Sequence, residues 1–239
     1  RGFPVRRACL SLAKHEPVDA DELAERRATM VADQIARRGI RDPRLLAAMR
    51  ELPRHEFLPE KDWPHAYEDR PIPIGEGQTI SQPYIVAAMT EALDCRPDDH
   101  LLDVGTGSGY QAALLSRLVR SVVSIERRPA LVARARATLG RLGCVNVTVL
   151  EGDGSDGVPV FSPYDAVLVA AGAPRVPTDL TAQLADGGRL VVPVGTAELQ
   201  HLMVLRRTGE RVTEEVREDC VFVPLVGRQG WSVEHPAAK

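Results

Sequence analysis

Ten consecutive residues constrain the fold of this 239-residue chain more than any others: Leu101-Leu102-Asp103-Val104-Gly105-Thr106-Gly107-Ser108-Gly109-Tyr110. A short apolar run reaches an acidic residue near its end, three alternating glycines follow, and a helix-like stretch opens at once. Glycine permits backbone torsions and close approaches that other residues resist, and a helix N-terminus offers free N–H donors to a carboxylate or phosphate. The segment reads as the first turn of a nucleotide-binding unit, or as a tight strand-to-helix connection without a ligand.

The residues after it repeat the same alternation. Apolar runs at Leu101–Val104, Val122–Ile125, Val145–Leu150, Ala166–Val169 and Leu190–Val194 are interleaved with helix-like stretches at 110–119, 130–142 and 178–184. Such alternation predicts a doubly wound, mostly parallel α/β sheet. Three further runs, His201–Arg206, Val212–Arg217 and Cys220–Val226, are separated by turn and acidic residues and predict antiparallel strands at the C-terminal end. Upstream, residues 21–51 predict two helices, with Gly39 stopping the first and Asp42-Pro43 starting the second. Pro53, Pro59, Pro64, Pro71 and Pro73, with Gly75 and Gly77, predict an extended surface segment before a helix resumes at Pro83. The expected organisation is an N-terminal extension over 1–20, a helical and lid subdomain over 21–98, and a cofactor-binding α/β core over 99–239 whose C-terminal strands lie on the substrate side.

Composition narrows the partners. A net charge of -3 leaves no global attraction for nucleic acid or an acidic membrane. Cys9, Cys95, Cys144 and Cys220 are widely spaced, without metal-ligand spacing, which predicts reduced thiols and no metal. The apolar stretch Ala8–Ala13 is too short for a signal peptide, and no run approaches the roughly 20 residues of a membrane span. A cytoplasmic monomer is the expectation.

The carboxylates discriminate between ligands. Glu126 ends the second run, 21 residues beyond Gly105, where a ribose-binding acid is expected. A dinucleotide site shares that acid, but its glycine spacing is G-x-G-x-x-G, whereas this one is G-x-G-x-G with Asp103 just ahead. A pyrophosphate sits badly beside that charge. S-adenosylmethionine, with a positive ammonium and sulfonium and no phosphate, fits better. Asp153 in Gly152-Asp153-Gly154 follows the third run, and is either an adenine-side acid or part of an Asp-Gly turn. The fold class predicted is a Rossmann-like class I methyltransferase.

For the acceptor, Val169-Ala170-Ala171-Gly172-Ala173-Pro174 lacks the amine-holding run of amino-directed enzymes, and no Pro-Cys or Thr-Cys pair is present. The segment Gly75–Tyr84 remains. Here Gly77-Gln78-Thr79-Ile80-Ser81-Gln82-Pro83-Tyr84, the Asp103–Tyr110 turn, Gly152-Asp153-Gly154, Pro163–Ala166, Leu184–Gly195 and Phe222–Gly227 occur in order. Together they resemble the protein-L-isoaspartate (D-aspartate) O-methyltransferase family, from about Met30 to Trp231.

The resemblance implies methylation of the free α-carboxylate of L-isoaspartyl residues in damaged proteins and peptides. The ester then closes to a succinimide that reopens partly as normal aspartate. It places the active-site residue at Ser81. The cofactor, S-adenosyl-L-methionine (product S-adenosyl-L-homocysteine), falls to Gln78, Thr79, Ile80, Ser81, Asp103, Gly105, Thr106, Gly107, Ser108, Gly109, Glu126, Asp153 and Gly154. The substrate peptide falls to Thr79, Ile80, Ser81, Val223, Pro224 and Leu225. The chemistry agrees: a carboxylate of pKa roughly 4 is already ionised at neutral pH, so no general base is needed. Joining an anion to a cation favours a water-excluding lid, for which Pro71–Pro83 with hinges at Gly75 and Gly77 is the candidate.

Alternatives stay open on the residues alone. Another carboxylate, a small molecule or RNA is an alternative acceptor, and Ser81 is also placed to cap the helix at Pro83. His55, His65 and His201 read as surface or boundary residues. Arg127, Arg128, Arg134, Arg136 and Arg141 read as a solvated helix face, and Trp63 and Trp231 as packing anchors.

Overall fold

In the computed structural model, residues 19–232 are described. Cys9 and all but the last two residues of the expected extension over 1–20 lie outside them.

The sheet follows from the apolar runs. β3 (His100–Val104), β4 (Ser121–Glu126), β5 (Val147–Glu151), β6 (Tyr164–Val169), β7 (Leu184–Gly195), β8 (Gln200–Thr208) and β9 (Arg211–Cys220) form seven strands in the order β5-β4-β3-β6-β7-β8-β9. The pairs among β5, β4, β3, β6 and β7 are parallel, and β7–β8 and β8–β9 are antiparallel. Helices α4 (Tyr110–Ser116) and α5 (Pro129–Arg141) connect the strands on one side of β3, and α6 (Thr178–Ala182) connects β6 to β7. The strand order reverses between β3 and β6, which opens a crevice at their carboxyl ends. That crevice is where the glycine turn emerges. The mostly parallel, doubly wound sheet with antiparallel C-terminal strands is as expected.

The N-terminal part is helical, with α1 (Ala20–Thr29) running through a π turn to a C-cap at left-handed Gly39 (φ 107°). Asp42 caps α2 (Pro43–Glu51) by accepting from the Arg44 and Leu45 N–H groups. A single hydrophobic cluster runs from Leu23 through Leu93 and Leu101 to Phe222, so this part shares its core with one face of the sheet. Arg189 ties the halves together: it is 1% exposed, donates to the Leu93, Asp94 and Asp165 carbonyls, and pairs with Asp99 at 2.5 Å. It thereby satisfies carbonyls left open at the end of α3 (Pro83–Leu93).

Two expectations are corrected. Residues 52–82 are not an extended surface run. They form 3-10 turns at Arg54–Phe57 and Glu60–His65, then the hairpin β1 (Ile72–Gly75) and β2 (Gln78–Ile80), and they bury Phe57, Leu58, Ala66 and Tyr67. Proline suits short 3-10 turns as well as extended chain, so proline content alone did not separate them. The run Cys220–Val226 is not a strand either. Past β9 it touches Gly172 only through a bridge at Pro224, and a further bridge joins Val226 to Trp231. Cys95, Cys144 and Cys220 are free thiols. Among the described residues no helix is long and apolar enough to cross a membrane.

Candidate active site

The glycine turn leaves β3 with Gly105, Gly107 and Gly109 all in the left-handed region (φ 94°, 53° and 91°). Each would be strained with a side chain. Gly109 also sits where α4 meets α5: a Cβ there would lie 3.4 Å from that of Ala135. Glu126, 7% exposed at the end of β4, accepts from the Gly107 N–H at 3.0 Å and the Arg128 N–H at 2.9 Å. Its carboxylate thus fixes the turn while reaching the crevice.

Above the turn lies a cavity of about 330 Å³. Of the residues expected there, Gln78, Thr79, Ile80, Ser81, Gly105, Thr106, Gly107, Ser108, Glu126, Gly154, Val223, Pro224 and Leu225 line it. Gly154 has no room for a side chain, since a Cβ would meet Val104 Cγ1 at 2.6 Å, so the wall there is bare backbone.

Asp103, Gly109 and Asp153 are set back from the wall. Asp103 is fully buried under the turn and accepts from Ser124 Oγ at 2.7 Å, while Ser124 bonds Thr106 Oγ1 at 2.6 Å. Burial pushes its pKa up to about 7, against the lowering effect of Ser124, and the nearby Glu126 charge adds to the rise. The Asp153 carboxylate accepts from Ser155 N–H and Oγ and from the Arg228 N–H at 2.8 Å. Burial raises its pKa, but these bonds prevail and hold it below the usual carboxylate range. Its place is to pin the C-terminal segment across the third strand end.

Met89, Tyr110, Gln111, Arg127, Arg128, Ala170 and Phe222 also line the cavity and were missed. Tyr110 and Phe222 stood inside quoted motifs, whereas nothing local to Met89 or Gln111 signalled the site. Of the arginines read as a solvated helix face, Arg127, Arg134, Arg136 and Arg141 are exposed and Arg128 is half-buried, and they also make contacts. Arg127 reaches the Val226 carbonyl, Arg128 lies 3.9 Å from Glu76, Arg134 donates to Ile74 O at 2.8 Å, Arg136 to Val149 O, and Arg141 pairs with Glu56. His55 is buried rather than superficial, its Nδ1 2.6 Å from Tyr67 Oη.

A second cavity of about 340 Å³ adjoins the first and shares Thr79, Ser81, Phe222 and Val223 with it. Arg38, Gln82, Tyr84, Glu218 and Asp219 complete much of its wall. Ser81 therefore stands between the two cavities. It does not cap α3: Gln82 occupies that position, without a side-chain capping bond. Gly75, Glu76 and Gly77, all at positive φ, form the tip of the β1–β2 hairpin and not hinges at its base.

The family model described as protein-L-isoaspartate(D-aspartate) O-methyltransferase matches residues 25–230. A protein-L-isoaspartate O-methyltransferase of Methanoregula boonei is 56% identical over 208 residues, covering 87% of this chain and 96% of that one. One of Methanoculleus marisnigri is 52% identical over 217 residues, covering 91% and 99%. A solved protein-L-isoaspartate O-methyltransferase is 31% identical with a TM-score of 0.76, covering 87% of this chain and 67% of that one. A Plasmodium falciparum protein solved in complex with S-adenosyl-L-homocysteine shares the fold at 23% identity, with a TM-score of 0.71 and coverage of 82% and 96%.

Proposed function

Because the chain belongs to the protein-L-isoaspartate(D-aspartate) O-methyltransferase family, we propose that its first cavity holds S-adenosylmethionine and its second receives the isoaspartyl residue of a damaged protein or peptide. The enzyme is a carboxyl methyltransferase, and the methyl goes to the free α-carboxylate of that residue. The observation that carries the site assignment is Ser81, placed in the wall shared by both cavities.

The residues present fit that cofactor. Glu126 offers a carboxylate to ribose hydroxyls, the backbone of Gly105–Ser108 allows close approach, and the bare wall at Gly154 leaves space for a flat ring. Asp103, Gly109 and Asp153 serve this wall from behind by fixing the turn, the helix packing and the C-terminal segment. When bound, S-adenosylmethionine supplies a methyl group activated by its sulfonium.

On the acceptor side, Ser81 Oγ has no hydrogen-bond partner among the described residues and is the donor that orients the ionised carboxylate. No general base is required, because a carboxylate of pKa roughly 4 carries its charge at neutral pH. Thr79 and Ile80 from the hairpin and Val223, Pro224 and Leu225 from the other side enclose the reacting groups. Excluding water there favours merging opposite charges into neutral products. The hairpin of the N-terminal part and the segment that follows β9 both contribute to the acceptor side, and the glycine turn with the strand ends supplies most of the cofactor side. The reading keeps a monomer in a reducing, cytoplasmic setting.

The test is a peptide pair differing only in aspartate or isoaspartate, incubated with methyl-labelled cofactor and then raised in pH. Label is expected on the isoaspartyl peptide alone and is expected to leave as methanol. Label that survives base, or marks both peptides equally, overturns the assignment.

A further inference from the structure

Among the described residues, Arg54 is the largest fully buried side chain that the reaction above leaves without a task. It is 0% exposed, yet among the described residues it has no carboxylate within ion-pair distance. A buried charge without a counter-ion is costly, so its retention calls for a reason. Its Nε donates to Ala66 O at 2.8 Å and its Nη2 to the main-chain carbonyl of Ser81, also at 2.8 Å. Nη1 is buried with no partner.

The guanidinium carbon lies 5.0 Å from the centre of the Tyr110 ring, and Tyr110 is among the residues that line the first cavity. The charge thus lies against two residues that line the first cavity, Tyr110 on one flank and Ser81 on the other. Asp69, the acidic residue whose field reaches it, is already engaged by Arg38, Gln82 and the Tyr84 N–H. Burial lowers the Arg54 pKa to about 10, with Tyr110, Tyr67 and Asp69 opposing, so the group remains a cation at neutral pH.

We infer that Arg54 is a positioning residue with a second, electrostatic task. Its Nη2 holds the main chain of Ser81 at the junction of the two cavities, and its uncancelled charge favours an ionised acceptor there. This rests on the functional reading above. The charge attracts the carboxylate before transfer and has nothing to hold once the acceptor has become a neutral ester, so it assists both capture and release. The bond to Ser81 does separate work: it fixes where the hydroxyl stands, and it acts on turnover and not on capture.

The two tasks are separable by substitution. Arg54→Met removes the charge, and Arg54→Lys keeps the charge while losing the fork. Steady-state kinetics on an isoaspartyl peptide are expected to show the peptide KM of Arg54→Met raised about tenfold, with the cofactor KM within about threefold of wild type. In Arg54→Lys the peptide KM is expected to stay within about threefold while kcat falls about tenfold. A Met variant with an unchanged peptide KM, or with both KM values raised alike, overturns the inference. If the Met variant does not fold, the Lys variant decides: a raised peptide KM with unchanged kcat overturns it. Wild-type enzyme without turnover on the isoaspartyl peptide overturns the functional reading itself, and this inference with it.

Discussion

At Ser81 the structure removes an ordinary role that the sequence leaves open. A serine two positions before a helical proline is a natural cap, and Gln82 in the N-cap position removes that role. On the proposed reading the Ser81 hydroxyl orients the acceptor carboxylate. A hydrogen bond to a charged group contributes about 1.5–3 kcal/mol, so Ser81→Ala is expected to slow turnover roughly 10- to 100-fold. Initial rates at saturating cofactor check this, and an unchanged rate removes Ser81 from the chemistry. Asp103 and Asp153 show the opposite case. A strand-end carboxylate looks alike in sequence whether it faces a ligand, a buried serine or a chain segment 75 residues away, as Asp153 faces Arg228. Long-range partners of that kind leave no local pattern.

At the scale of elements, strands were legible wherever β-branched runs were bounded by turns, and the carboxyl-end crevice followed from their alternation. Residues 52–82 were not, because 3-10 turns and a two-strand hairpin carry no period long enough to read. Nor was the segment 220–226, whose apolar residues suggest a strand while its pairing past Cys220 is limited to isolated bridges at Pro224 and Val226. The hairpin matters most for function, since Gln78–Ile80 contribute to the cavity wall. It is held down from α5 by Arg134, which donates to Ile74 O, and its tip lies near Arg128 through Glu76. Losing the first bond costs about 1 kcal/mol after allowance for exposure, or roughly fivefold in a rate. Arg134→Ala is therefore expected to release S-adenosyl-L-homocysteine about fivefold faster in stopped-flow measurements. If release is unaltered, the hairpin does not gate the cofactor.

For the whole molecule, one buried carboxyl gives stability a pH dependence of definite sign. Asp103 has its pKa pushed up to about 7 by burial, whereas in the unfolded chain it titrates near 4. Between those values the native state holds a proton that the unfolded state has lost. The contribution of this group is thus complete below about pH 4 and disappears as pH climbs through about 7. Asp103→Asn, which cannot ionise, is expected to gain on the wild type in melting temperature between pH 5 and pH 8 in cofactor-free protein. A difference that does not vary with pH shows that Asp103 is not the titrating group.

The last strand of the sheet also bears on how such a molecule survives its work. β9 is exposed on both faces along most of its length and forms an open edge beside β8. Open edges are templates onto which other chains add as strands. The family's clients are isoaspartyl-containing proteins and peptides, and an extended peptide is the kind of partner that pairs in this way. Along β9 stand Glu214, Glu215, Arg217, Glu218 and Asp219, with Val212 and Val216 isolated among them. A row of charges of this kind disfavours the addition of a further strand, so the edge is poorly suited to trapping the peptides the enzyme must touch and release.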